Sequence, residues 1–313
     1  MLWRDLVMNV SDATLFIDDI IAAYFFADTA YQYTWSKIEV HETLVKDEVR
    51  VDAFKRAIDE KVKPQDRVLD LGTGTGILAL LAAKKGAYAI GVDSSSIIGV
   101  GRKAAEKSGI RNVEFIRADI RDLVIPKVDC IICELIGMSI ADEGIAYKMK
   151  YALHLLKPGG TTVPEQIDIY IVPVDSTDAG LGFWRTRYGI DYSVVEKVPK
   201  QARNLDMGNA RFLCPPKKAF TIDLLNGIKP ELSFDGVFEM DSDGEFHGCV
   251  MYFEARLSKN VTLSTDPRKP LTHWKHLFLP LGKRLKVKKG DRLEVRVRSA
   301  LRDTKWRWDY KLI

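Results

Sequence analysis

The 313-residue chain has few cysteines and no long apolar run. No stretch reaches the ~20 residues needed to cross a bilayer, so a membrane-spanning helix is excluded. The four cysteines are Cys130, Cys133, Cys214 and Cys249. They are too few for a disulfide scaffold. Cys130 and Cys133 have C-x-x-C spacing, but no second close pair completes a zinc site, so no metal is expected. Lying within the apolar run Val128–Cys133, they read instead as buried strand thiols. Excess charge of one sign is also missing: the formal net charge is +4. Nothing in that balance recruits nucleic acid. One basic stretch, Lys283–Arg292, alternates like an exposed strand face running into a turn, with RNA binding as its other reading. The opening Met1-Leu2-Trp3-Arg4-Asp5 does not read as a signal peptide, because acids interrupt the apolar residues that follow; a cytoplasmic location is expected. The length suits one large domain or two ordinary ones, without internal repeats or low-complexity linkers.

What the chain does have is a strand, a glycine turn and a helix start: Val68-Leu69-Asp70-Leu71-Gly72-Thr73-Gly74-Thr75-Gly76-Ile77-Leu78. Glycines allow a sharp turn and close approach to a ligand, and the helix start offers unpaired N–H groups. A second short strand, Ala89–Val92, ends in Asp93, placed to accept two ribose hydroxyls. The turn is G-x-G-x-G, not the G-x-G-x-x-G of dinucleotide sites. With Asp70 before it, the pattern resembles the first motif of class I methyltransferases, which bind S-adenosylmethionine (AdoMet).

Residues 1 to about 60 read as helical, with a helix over Val45–Ile58. From about 66 to 165, strands Arg67–Leu71, Tyr88–Val92, Val113–Arg117, Val128–Cys133 and Gly160–Val163 alternate with helices Ile77–Lys85 and Ile97–Ser108. Such alternation implies an α/β doubly wound parallel sheet. Asp70, Asp93, Asp119 and Glu134 fall at or just past strand ends, where ligands of such sheets bind. After Pro164 period-two runs dominate: Ile167–Val172, Phe220–Leu224, Val250–Leu257, Leu277–Leu281 and Leu293–Val297. These imply an antiparallel β domain, a barrel or sandwich.

Glu134 ends the fourth strand and Glu143 opens the next helical stretch. Spacing alone leaves a solvated loop open as the reading. The Asn/Asp-Pro-Pro-aromatic motif of adenine and cytosine amino-methylases is missing. A carboxylate pair suits a planar cation with several donors, and a guanidinium fits that description. Here the chain resembles the protein arginine methyltransferases over nearly its whole length. Glu134 and Glu143 flank a loop, residues 135–142, like that family's two glutamates. His41–Arg50 is similar to its cofactor-closing segment, Phe183–Asp191 to the start of its dimerisation arm, and Leu263–Pro267 with Thr272-His273-Trp274 to its barrel strand and Thr-His-Trp loop.

The resemblance implies a division into an N-terminal helical segment closing over cofactor (1–60), a Rossmann-like AdoMet domain (61–165) and a β-barrel substrate domain (166–313) with an arm at about 184–216. It implies catalytic Glu134 and Glu143, with Asp47 and His273 as a proton path. Cofactor binding falls to His41, Arg50, Asp70, Gly72, Gly74, Gly76, Asp93, Asp119, Ile120 and Arg121. Trp274 and Met138 lie on the substrate side. The implied partners are a substrate protein with its target arginine and a second copy of the chain. The chain departs from the family pattern at Leu135, Ile136 and Met138 in the glutamate loop, at Trp35 and Glu39, and at Leu44 and Ile145 in place of pocket methionines. The alternatives are an RNA or small-molecule methyltransferase on the same scaffold, or a non-catalytic partner that keeps the fold.

Overall fold

The computed structural model describes residues 33–140, 143–176, 186–194, 201–225, 231–300 and 306–313. Of the helical segment expected over 1–60, residues 1–32 lie outside the described residues; the described part holds two helices, α1 (Ile38–Lys46) and α2 (Glu48–Lys61). The helix expected over Val45–Ile58 is therefore broken. Asp47 turns its carboxylate back to accept from the Arg50 N–H at 2.9 Å, which caps α2 and ends α1. Phe54 and Ile58 are buried as the spacing predicts, while Val45 and Val49 stay exposed.

The chain then alternates: β1 (Arg67–Leu71), α3 (Ile77–Lys84), β2 (Tyr88–Asp93), α4 (Ile98–Lys107), β3 (Val113–Arg117), β4 (Val128–Cys133), α5 (Ile145–Ala152) and β5 (Leu156–Val163). The five strands are parallel, in the order β3-β2-β1-β4-β5. Their apolar residues are buried on both sides, as helix-covered sheets require. Chain direction across the sheet reverses between β1 and β4, which opens a crevice at the carboxyl ends of the strands.

Among the described residues twelve strands follow: β6 (Gln166–Asp175), β7 (Thr186–Arg187), β8 (Ile190–Asp191), β9 (Arg203–Leu205), β10 (Arg211–Phe212), β11 (Lys217–Asp223), β12 (Glu231–Glu239), β13 (Gly244–Arg256), β14 (Thr262–Ser264), β15 (His276–Val287), β16 (Arg292–Ala300) and β17 (Arg307–Leu312). A seven-stranded sheet runs β10-β6-β13-β15-β9, with β11 on β6 and β14 on β13. A three-stranded sheet runs β12-β16-β17, and β7 with β8 makes a small hairpin. The barrel expectation thus resolves into two sheets; among the described residues no ladder joins them. They meet through side chains: Trp308 Nε1 donates to the Pro280 carbonyl at 3.0 Å, and the Tyr310 hydroxyl to that of Leu279 at 2.7 Å.

The end of α2 ties the two halves together. Lys61 Nζ reaches the Thr162 carbonyl and Glu165, each at 2.7 Å, and Ser258 Oγ donates to Glu60 at 2.7 Å. Cys130 and Cys133 are buried in β4, and all four cysteines are free thiols. Lys286, Lys288 and Lys289 are exposed beside inward-facing Leu285 and Val287, as an exposed strand face and turn require. No described helix is long and apolar enough to cross a membrane.

Candidate active site

The crevice at the strand ends is one cavity of about 730 Å³, within the range of ligand sites. Three turns form its floor. After β1 the chain takes left-handed conformations at Gly72 (φ 75°) and Gly74 (φ 55°). A Cβ at Gly74 would stand 2.8 Å from the His41 ring, and one at Gly72 2.5 Å from Leu135. Both positions therefore need glycine on two counts, backbone angle and space. The turn also lets α1 lie against it, since His41 is buried there with Nε2 2.8 Å from the Trp35 carbonyl.

Asp70 lies beneath the turn, buried, and its Oδ2 accepts from Thr73 Oγ1 at 2.6 Å and from the Ala79 N–H at 3.0 Å. Burial pushes its carboxyl up to about 6, against those two hydrogen bonds. It shapes the turn from below. Asp93, at the end of β2, accepts from the Gly74 N–H at 2.9 Å, and from Ser95 N and Oγ at 2.8 and 2.7 Å. These donors fix its carboxylate on the cavity wall. Asp119, after β3, is gripped by Arg121 through Nε and Nη2 at 2.9 and 2.7 Å. That side-chain contact holds its carboxyl below the usual range despite partial burial.

Across the cavity, Glu134 leaves β4 and meets Arg50 of α2, Nη1 to Oε2, at 2.6 Å. Both side chains are nearly enclosed, 10% and 5% exposed. Burial raises the Glu134 carboxyl above the usual range; Arg50 is the strongest opposing charge. Glu143 lines the same cavity. His273 reaches it from the far domain: Nδ1 lies 2.8 Å from Asp47 Oδ2, which also accepts the His273 backbone N–H at 2.9 Å. Burial favours the neutral acid at Asp47, but the His273 hydrogen bonds and that from Arg50 N outweigh it and hold the carboxyl below its ordinary value.

A carboxylate braced by backbone donors, a glycine turn and a buried Arg–Glu pair share one cleft with a second glutamate. Two family models match the chain. Residues 68–160 match the model of a methyltransferase domain, and residues 165–312 that of the arginine methyltransferase oligomerization subdomain. Protein arginine N-methyltransferase 1 of Dictyostelium discoideum is 31% identical over 277 residues, which span 83% of this chain and 81% of that protein. The chain belongs to the protein arginine methyltransferases. Protein arginine N-methyltransferase 1 of Saccharomyces cerevisiae is 30% identical over 84% of this chain and 81% of its own length. Among solved structures of the family, the Trypanosoma brucei PRMT1 enzyme-prozyme heterotetrameric complex with AdoHcy matches with a TM-score of 0.76. It is 22% identical, covering 89% of this chain and 94% of that one. Arabidopsis thaliana protein arginine methyltransferase 10 gives 0.75 at 22% identity, covering 90% and 99%. At that identity the structures establish the shared fold, parallel sheet and antiparallel domain alike.

As residues of a family member, the expected set can be placed one by one. His41, Arg50, Asp70, Gly72, Gly74, Asp93, Asp119, Ile120, Arg121, Glu134, Glu143 and His273 all line the cavity. Gly76 does not; it precedes α3 at φ 86° with the Phe115 ring against it. Asp47 stands behind His273. Trp274 and Met138 are not in the lining. Trp274 is buried edge-on to Phe253, with His273 between it and the cleft, and Met138 faces outward. Of the expected arm, entered at Phe183–Asp191 and running to about 216, residues 183–185 and 195–200 lie outside the described residues. Sequence reasoning missed Ser95, although an acid followed two residues later by serine is a turn signal. It also missed Tyr147 and Lys148, one helical turn beyond Glu143, which wall the Asp119 end.

Proposed function

We propose that this chain transfers the methyl group of AdoMet to a guanidino nitrogen of arginine in a protein. The observation that carries this reading is the joining of the glycine-turn cavity to Glu134 and Glu143, in a chain of this family. The residues suit the cofactor: Asp93 presents braced carboxylate oxygens to ribose hydroxyls, Asp119, Ile120 and Arg121 lie where a base would sit, and Arg50 suits a carboxylate. AdoMet supplies an electrophilic sulfonium methyl group.

The protein's task is the nucleophile. A guanidinium has a very high pKa and offers no good lone pair. Glu134 and Glu143 draw its positive charge toward the nitrogens they touch and orient the remaining nitrogen for in-line attack. Arg50 supplies the strongest charge favouring the ionised form of Glu134, against the burial that raises its carboxyl. The proton lost on transfer leaves through His273, whose ring Asp47 holds.

The exposed β7–β8 hairpin, with Tyr188, Ile190 and Val194 projecting, supports an arm that pairs two copies into a homodimer. We assign the chain to the cytoplasm, a compartment that suits its four unpaired thiols, and retain the division at about residues 60 and 165.

Incubation with methyl-labelled AdoMet and a cell extract, followed by acid hydrolysis, tests the reaction. Label is expected in methylarginine; label in RNA or small molecules instead overturns it. Glu134→Gln and Glu143→Gln are each expected to retain AdoMet binding and lose about 100-fold or more in kcat, as loss of a preorganised charge does. Lost AdoMet binding would move these glutamates from the chemistry to the cofactor site.

A further inference from the structure

The glutamate loop does not stand on its own domain alone. Its backbone is left-handed at Gly137 (φ 76°) and again at Ile140 (φ 73°), a β-branched residue that is 3% exposed. Such a conformation persists only when its surroundings dictate it. Two donors of the antiparallel domain meet the loop between these points. The Asn204 side-chain amide on β9 donates to the Met138 carbonyl, and Trp306 Nε1, just before β17, donates to the Ser139 carbonyl at 3.1 Å. Asn204 also reaches the Trp274 carbonyl at 3.2 Å, next to His273, while its backbone pairs with Leu277 of β15. Met207 N–H bonds His276 Nδ1 at 3.0 Å and holds β9 in that place.

We propose that Asn204 and Trp306 are positioning residues for the methyl-transfer site. They lock residues 137–140, beyond Glu134, into their left-handed turns and tie them to the turn that carries His273. Neither residue lines the cavity, so both act through the glutamates. The proposal rests on the arginine-methylating reading for its kinetic consequence, but not for the loop restraint itself. Asn204 has two carbonyls to serve, and its amide group supplies two N–H donors. An acid at this position would present only acceptors to them. The Trp306 ring packs 5.9 Å from Phe220, so a phenylalanine keeps that contact and loses only the donor.

The test compares the full-length chain with Asn204→Asp and Trp306→Phe. Hydrogen–deuterium exchange at residues 136–140 is measured alongside AdoMet affinity and the kinetics of transfer to a synthetic arginine peptide. Faster exchange in the loop is expected, with β1 unchanged. Affinity for AdoMet should hold while kcat falls about 10-fold, the scale of a small misorientation. Unchanged loop exchange in both variants overturns the proposal. Loss of AdoMet affinity in step with kcat also overturns it, because a purely structural role predicts that. Where Asn204→Asp does not fold, Trp306→Phe decides alone. If the unaltered chain moves no methyl to arginine, the functional reading fails, while exchange still decides whether the loop is restrained.

Discussion

Asp70 places its carboxylate where water cannot reach it, 1% exposed, with two donors instead of a cation. Its folded pKa of about 6 lies above the ordinary 3.8, so the folded chain binds the proton more tightly than the unfolded one. Stability from this group is therefore present at low pH and declines as pH rises from about 4 through 6. The decline amounts to about 3 kcal/mol at most. Asp70→Asn keeps an oxygen acceptor for Thr73 and Ala79 and removes the charge. Denaturant unfolding at pH 8 should find the variant more stable than the parent, without the fall between pH 4 and 6. A variant less stable at both ends of that range would mean that the charge itself is needed by the turn. Asp70, Asp93, Asp119 and Glu134 were legible in the sequence, because each sits at or near a strand end that an apolar run announces. Their partners were not. Arg50 and Glu134 are 84 residues apart and meet only once α2 packs across the sheet. Trp274 shows the converse: its neighbour His273 reaches the cavity, while the indole is buried against Phe253.

At the level of elements, buried parallel strands were the easiest to read, because continuous apolar runs bounded by turns leave little choice of ends. β1, β3 and β4 fall where the runs place them. β12 and β17 escaped notice because sequences such as Arg307-Trp308-Asp309-Tyr310-Lys311-Leu312 alternate with charge at the edges of a small sheet. The α1–α2 break was hidden for another reason. Apolar spacing runs straight through Asp47, whose cap on the Arg50 N–H is local, while its His273 donors come from the far domain. One carboxylate there accepts from Arg50 N, His273 N and His273 Nδ1. Asp47→Ala should cost about 1–2 kcal/mol from the cap. Its folded pKa is lowered, so its contribution is present above the ordinary 3.8 and is lost as pH falls through the folded value. Melting curves should show parent and variant converging below about pH 4. A constant gap across pH would assign the loss to packing instead of charge.

The whole molecule divides its labour between two halves, one parallel and one antiparallel, that α2 staples together. The parallel half carries the cofactor-type turn, and the antiparallel half delivers His273 and steadies the glutamate loop. Alternation told that a β domain follows Pro164, but not that its described strands split into seven, three and two, since the split depends on which aromatic edges meet carbonyls of β15. Among the described residues the β7–β8 hairpin pairs only with itself, and Tyr188 is fully exposed. Apolar side chains clustered on a projecting hairpin find their burial in a partner surface. The oligomerization subdomain spans the same half of the chain. A triple change, Tyr188→Ser with Ile190→Ser and Val194→Ser, touches nothing in either core. Sedimentation at micromolar concentration should find the parent as a dimer and the variant as a monomer. On its own, each site should alter the stability of the isolated fold by about 0.5 kcal/mol or less. If the variant sediments as the parent does, the contact lies elsewhere. If the parent is itself a monomer, the hairpin serves something other than a second copy of the chain.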